Sequence, residues 1–248
     1  MIIMKDHQRI HNFPKENLCI ITDFDKTITS NESVSSIGVF SNFFPKQYAE
    51  EKSKIMEQEE KIFLSNDISN VQKEQLLHSI WLKKLKLLKE FLNNYKVIND
   101  IVSSNQFIFR DDVIETINYL QRKYQVIINS SGFGNLIIEL LKKEGCHFDN
   151  LVVFSNFIQN GMIDFSKMID PYRKYNAEYI KYINNYKNFV LLGDSLTDLS
   201  MLPLDLNKIS VGFLDCEYDT YLKDFTSDFD IVATENEPYS SPVKKLSL

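Results

Sequence analysis

The chain opens on a mixed polar stretch, and its first sustained apolar run is Leu18, Cys19, Ile20 and Ile21. A short run bounded by polar residues reads as a strand buried on both faces. The next stretch, 31–105, has a different period. Residues 46–63 are rich in Glu and Lys with sparse apolar positions, the pattern of a solvated helix. From Val71 to Tyr95 the set Leu76, Leu77, Ile80, Trp81, Leu85, Leu88, Leu92 and Tyr95 recurs at intervals of three and four, which predicts a long amphipathic helix. Residues 108–232 then alternate between the two patterns. Asp111 and Asp112 are placed to cap a helix with apolar positions Val113, Ile114, Ile117 and Leu120. Val126–Asn129 is strand-like, and a helix through Phe133, Leu136, Ile137, Leu140 and Leu141 closes at Gly145. Leu151–Phe154, Phe189–Leu192, Ile209–Phe213 and Asp230–Val232 are further strand candidates. Gly161 marks a hairpin turn between Phe157 and Ile163, and a helix follows Pro171 through Ala177 and Ile180.

This order predicts an α/β fold: a Rossmann-like core with a central parallel sheet, helices on both faces, and an inserted all-helical cap. The core is discontinuous, 1–30 and 106–248, and the helical insert 31–105 sits over the carboxyl edge of the sheet. Residues 1–16 are expected to form a mobile arm, since His7 and His11 stand four apart beside Pro14 without a helix signal. The tail from Glu235, with two prolines and several serines, is expected to be loosely held.

Charge narrows the partners. A formal net charge of −6 argues against a surface built for a nucleic acid polymer or an anionic membrane. No apolar run is long enough to span a bilayer, and the start shows no signal-peptide pattern. Cys19, Cys146 and Cys216 have neither disulfide-framework nor zinc spacing. A cytoplasmic protein with free thiols is the expectation.

The chemistry lies where strands end. The first strand runs into Asp23-Phe24-Asp25, with Thr27 following; another ends in Ser130-Ser131-Gly132; a third ends in Gly193-Asp194-Ser195, with Asp198 four residues beyond Asp194. If these strands are parallel, the carboxylates converge with a serine hydroxyl and exposed amides at one rim. Crowded carboxylates repel unless a cation or shared proton relieves them. Oxygen-only ligands favour a hard ion, and Mg2+ suits a few carboxylates plus a substrate phosphate oxygen. A carboxylate is also able to attack phosphorus, and a second acid to protonate the leaving oxygen.

These residues resemble the haloacid dehalogenase (HAD) superfamily of phosphohydrolases. DFDKTIT is similar to its first motif, the serine of NSSG to its second, a lysine to its third and GDSLTD to its fourth. Within it, the stretches IVSSNQFIFRDDVIETINYL, VVFSNFIQNGMI, NFVLLGDSLTDLSML and ISVGFLD resemble the pyrimidine 5′-nucleotidase family, the cytosolic type-III nucleotidases. The resemblance implies Asp23 as nucleophile, Asp25 as acid/base, and Ser130, the Ser131 amide and Lys174 as phosphate ligands. It implies Mg2+ held by Asp23, the Asp25 carbonyl and Asp194, with Asp198 and Thr27 in support. Lys167 is a rival to Lys174 by position. The implied substrate is a nucleoside 5′-monophosphate; a small metabolite such as phosphoserine is the alternative, as is transfer to an alcohol. The family's base-contacting acid has no clear counterpart in EEKIFLSND: Glu60 or Asp67 could serve, or Phe63, Leu64 or Ser65 could occupy the position. Phe43, Phe44, Tyr48 and Trp81 could stack on a base or simply pack.

Overall fold

The structure is a computed structural model that describes residues 1–65, 67–92, 96–159, 162–216 and 218–248. Tyr95 and the expected turn at Gly161 lie outside the described residues. The chain runs β1 (Ile2–Met4), α1 (His7–His11), β2 (Leu18–Thr22), α2 (Lys46–Leu64), α3 (Asn70–Phe91), α4 (Lys96–Ser103), α5 (Val113–Leu120) and β3 (Gln125–Phe133). It continues α6 (Gly134–Lys143), β4 (Leu151–Asn156), β5 (Ile158–Gln159), β6 (Met162–Ile163), α7 (Ala177–Ile183), β7 (Asn188–Gly193), β8 (Asn207–Leu214), α8 (Tyr218–Asp228), β9 (Ile231–Thr234) and α9 (Ser240–Lys245).

A seven-stranded sheet has the order β1-β9-β8-β7-β2-β3-β4, parallel throughout except for β1. β2 is buried at every position because it is central and covered on both sides. Successive side chains alternate faces. Thus Ile20 joins one core with Val126, Ile128, Val190 and Leu192, while Cys19 and Ile21 join the other with Ile127, Phe189 and Leu191. With β2, β3 and β7 parallel and adjacent, their carboxyl ends share one rim.

Two terminal expectations are corrected. Residues 1–16 are not a loose arm: β1 pairs antiparallel with β9, and Asp6 caps α1 by accepting from the Arg9 N–H. The strand covers an otherwise open sheet edge, and Ile10 is buried. The tail is held too. Thr234 N–H donates to the Met1 carbonyl, and Tyr239, Val243 and Leu246 are buried. Asp112 holds that tail, because its carboxylate accepts from the Ser240 N–H (2.8 Å) and hydroxyl (2.5 Å). It stands at the N-cap of α5 without a side-chain cap bond, so the capping role read from sequence is replaced by a contact 128 residues away.

Between β2 and α5 the described elements are helical. α3 starts with a capping box between Ser69 and Gln72 and buries Leu77, Ile80, Trp81, Leu85 and Leu88. Leu76, in the predicted apolar set, is instead 42% exposed. α2 packs on α3, tied by Lys84 to Glu59 and by Lys83 to Gln58. Phe40 stacks on Phe44, Tyr48 meets Phe44 and Phe91 edge-on, and Phe40 meets Phe133 of β3 edge-on at 5.7 Å. Trp81 is 6% exposed and Tyr48 1%, so these rings pack the helical segment to the sheet. No helix among the described residues is long and apolar enough to cross a membrane.

Candidate active site

The rim of the sheet carries the expected carboxylates. Asp23 directly follows β2, and its N–H extends the ladder to the Leu192 carbonyl at 2.9 Å. Asp194 follows β7, and Asp198 lies on the 3-10 turn Leu196–Met201. One oxygen from each of Asp23, Asp194 and Asp198 falls within 4.8 Å of the others. Lys174 reaches them from the loop before α7. Its Nζ lies 2.6 Å from Asp23 Oδ1 and 2.5 Å from Asp198 Oδ1, the latter an ionic contact off hydrogen-bond alignment. Lys167, the rival, is paired with Glu178 on the surface.

Asp198 is an organiser of this rim. Its Oδ2 accepts from the Asp194 and Ser195 N–H groups, both at 2.9 Å, which turns the chain sharply at the end of β7. Gly193 makes that approach possible, since a Cβ there would lie 2.3 Å from Asp198 Oδ2. Thr27 donates to Asp194 Oδ1 at 3.2 Å. Asp25 is not one of the three clustered acids: its carboxylate accepts from the N–H (2.7 Å) and hydroxyl (2.6 Å) of Ser36. Ser130 is 1% exposed and accepts from the Gly132 N–H; Ser131, beside it, is half-buried. A Cβ on Gly132 would sit 2.0 Å from the Ser36 hydroxyl oxygen, so the bare backbone admits Ser36 to the rim.

Electrostatics follow from three carboxylates facing one ammonium in a desolvated place. Burial pushes Asp23 well up, repulsion from Asp198 and Asp194 adds to this, and Lys174 opposes it. Burial, then repulsion from Asp198, raises Asp194 to about 7. Asp25 is raised by burial, against the Ser36 hydrogen bonds. Burial disfavours the charge of Lys174, yet Asp198 and Asp23 outweigh it and hold the ammonium above its ordinary range. Surplus negative charge and an all-oxygen donor set fit a hard divalent cation. Asp23 and Asp194 each retain one oxygen with no protein donor among the described residues, whereas both oxygens of Asp198 are engaged. A cavity of about 300 Å3 opens beside Asp194, lined by Lys26, Asn31, Thr197, Phe63 and Tyr221 among others.

Several contributors were invisible to motif reading. Arg110, 4% exposed, donates to the carbonyls of Thr27 (3.0 Å) and Lys26 (2.7 Å) and pairs with Asp215 at 2.6 Å. It thereby pins the loop after Asp25, where Lys26 adopts a left-handed φ of 62°. In the helical segment, Glu60 and Asp67 are exposed, and Glu59 is the acid turned to the core, bonded by the Tyr172 hydroxyl at 2.9 Å. The four-, three- and four-residue steps from Tyr48 through Lys52 and Ile55 to Glu59 carry that signal.

The family model described as pyrimidine 5′-nucleotidase (UMPH-1) matches residues 20–248. The chain is 27% identical over 255 residues to the 7-methylguanosine phosphate-specific 5′-nucleotidase of Drosophila melanogaster, covering 94% of this chain and 80% of that protein. It is 29% identical over 180 residues to form A of that nucleotidase in Xenopus laevis, spanning 67% of this chain and 62% of the relative's length. Cytosolic 5′-nucleotidase IIIB, solved with cytidine bound, superposes with a TM-score of 0.83 at 25% identity, over 99% of this chain and 92% of that one. A phosphoserine phosphohydrolase-like protein from Francisella tularensis shares the fold at a TM-score of 0.56 and 17% identity, covering 92% of this chain and 97% of that one. A model match running from β2 to the last residue, over a rim that unites the motif aspartates, places the chain in one family: it belongs to the pyrimidine 5′-nucleotidase (UMPH-1) family.

Proposed function

We propose that this protein is a magnesium-dependent phosphomonoesterase that hydrolyses nucleoside 5′-monophosphates through an aspartyl-phosphate. The observation that carries the reading is the meeting of Asp23, Asp194, Asp198 and Lys174 at the ends of β2 and β7. The nucleotide part is supported by the family match and by relatives described as 5′-nucleotidases.

Asp23 is the nucleophile. One of its carboxylate oxygens bonds to phosphorus as the bond from phosphorus to the ester oxygen breaks, and Asp25 gives its proton to the departing nucleoside oxygen. The raised proton affinity of Asp25 suits it to hold that proton. Asp25 then takes a proton from water as the water oxygen attacks phosphorus, which frees inorganic phosphate and restores Asp23. Lys174, Ser130 and the Ser131 amide receive the phosphate oxygens. Asp23, Asp194 and the Asp25 carbonyl would hold magnesium, which would screen charge on the phosphate. The helical segment 31–105 acts as a cap over the rim, and the cavity beside Asp194 receives the nucleoside, with Phe63 and Tyr221 as exposed rings at its border. The reaction is assigned to the cytoplasm, as in the cytosolic relative.

The test is phosphate release from a panel of nucleoside monophosphates, phosphoserine and sugar phosphates, with magnesium or with chelator. Turnover of nucleotides that needs magnesium and disappears in Asp23→Asn is expected. Full activity of Asp23→Asn would refute the assignment of the nucleophile, and turnover restricted to phosphoserine would refute the substrate class.

A further inference from the structure

The loop Asp170–Lys174 delivers the buried lysine, and it also touches both long helices of the insert. Asp170 is 2% exposed. Its Oδ1 accepts from the backbone N–H groups of Tyr172 (2.8 Å) and Arg173 (2.7 Å), so this carboxylate shapes the turn that leads into Lys174. Its other oxygen lies 2.7 Å from Nδ1 of His78, on α3. A carboxylate with those partners only accepts, so Nδ1 carries the proton. Two residues before Lys174, the Tyr172 hydroxyl donates to Glu59 of α2, and Glu59 pairs onward with Lys84 of α3. On the core side the Lys174 carbonyl accepts from Asn129 at 2.8 Å, and Nζ ends on Asp23 and Asp198. An unbroken series of polar contacts thus runs from α2 and α3 through this loop to Asp23.

We propose that His78 and Glu59, acting through Asp170 and Tyr172, make the seating of the helical insert a condition for the placement of Lys174 against Asp23. The inference rests on the proposed function in taking Lys174 and Asp23 as reacting groups and the helical segment 31–105 as a cap that lifts. Lifting the insert withdraws the His78 donor from a buried carboxylate and detaches the tyrosine. A buried acceptor that loses a partner favours rearrangement, and the segment free to rearrange is the turn whose N–H groups Asp170 organises. Seating the insert restores both contacts and with them the position of Nζ. His78 and Tyr172 are positioning residues: neither is bonded to Asp23, Asp194 or Asp198.

The experiment uses the full chain with three substitutions. His78→Leu and Tyr172→Phe remove one contact each, whereas His78→Asn keeps a donor near the place of Nδ1. Turnover of the best nucleoside monophosphate, melting temperature, and hydrogen exchange at the amides of Tyr172, Arg173 and Lys174 are measured. For His78→Leu, kcat is expected to fall about tenfold with KM raised by less than about threefold, since Lys174 loses its placement while the other phosphate and nucleoside contacts remain. The three amides exchange faster, the melting temperature stays close to wild type, and His78→Asn recovers most of the rate. An unchanged kcat, a raised KM at full kcat, or unaltered exchange in the loop would each overturn the proposal. Should the wild-type chain hydrolyse no phosphomonoester, the proposed function falls on its own, and loop exchange still decides whether the insert holds the loop.

Discussion

Replacing Lys174 by Met keeps an unbranched stem and deletes the one ammonium placed among three carboxylates. The side chains of Lys174, Asp23 and Asp198 are each no more than 5% exposed, and the contacts measure 2.6 and 2.5 Å. Removing one partner of a buried pair costs about 3–5 kcal/mol. Two carboxylates lose their partner here, so the upper end, about 5 kcal/mol at pH 8, is expected for the metal-free protein. That is a large share of the ~5–15 kcal/mol available to a folded protein. The pH dependence has a definite sign. Lys174 is held above its ordinary value, so its own contribution is fully present below about pH 10 and constant across pH 5–8. Asp23 is raised by burial, and more so without Lys174, so the native state holds a proton that the unfolded state has released. Stability then declines as pH rises from the ordinary carboxylate range. The gap between wild type and Lys174→Met therefore widens from pH 5 to pH 8. Urea unfolding in chelator at both values measures it. An equal gap at the two pH values, or one below about 1 kcal/mol at pH 8, would refute the counter-ion role assigned to Lys174.

Two further outcomes follow from the same geometry. Arg110→Leu leaves Asp215, 4% exposed at its side chain, without its guanidinium and frees the carbonyls of Lys26 and Thr27; a loss of about 3–5 kcal/mol in urea unfolding is expected, with lower kcat. Asp194 is raised to about 7 without metal, so apo stability falls as pH climbs from the carboxylate range through that value. Magnesium must displace that proton at pH 6 and meets a free carboxylate at pH 8, so the thermal shift it produces is larger at pH 8; equal shifts would contradict a site built on Asp194.

The core was legible because its signals are local. Leu18–Ile21 and Phe189–Leu192 are apolar runs that end in aspartates, and the parallel pairing of β2 with β7 follows from the order of elements. The rim is gathered by that topology, so Asp23, Asp194 and Asp198 stood out as acids at strand ends in the sequence, whereas Lys174 came only through the resemblance, with Lys167 as its rival. Partners joined across long sequence distances were not. Asp25 meets Ser36, Arg110 meets Asp215, and His78 meets Asp170; some of these residues lie within the motif stretches, yet nothing in those stretches announces the pairing. The termini failed for a related reason. Ile2–Met4 is too short to announce a strand and forms one because β9 offers an open edge. The polar tail is held by Asp112, whose position before α5 read as a cap.

The central claim is that Asp23 carries the phosphoryl group. It is tested most directly in Asp25→Asn, with magnesium and an aryl phosphate whose leaving group needs no proton. Acid quench and borohydride reduction convert a phosphorylated aspartate to homoserine, located by peptide mass. Homoserine at position 23, dependent on substrate and absent in the Asp23→Asn chain, is the expected result. Release of the aryl alcohol with Asp23 unmodified and the label on another residue would contradict the account.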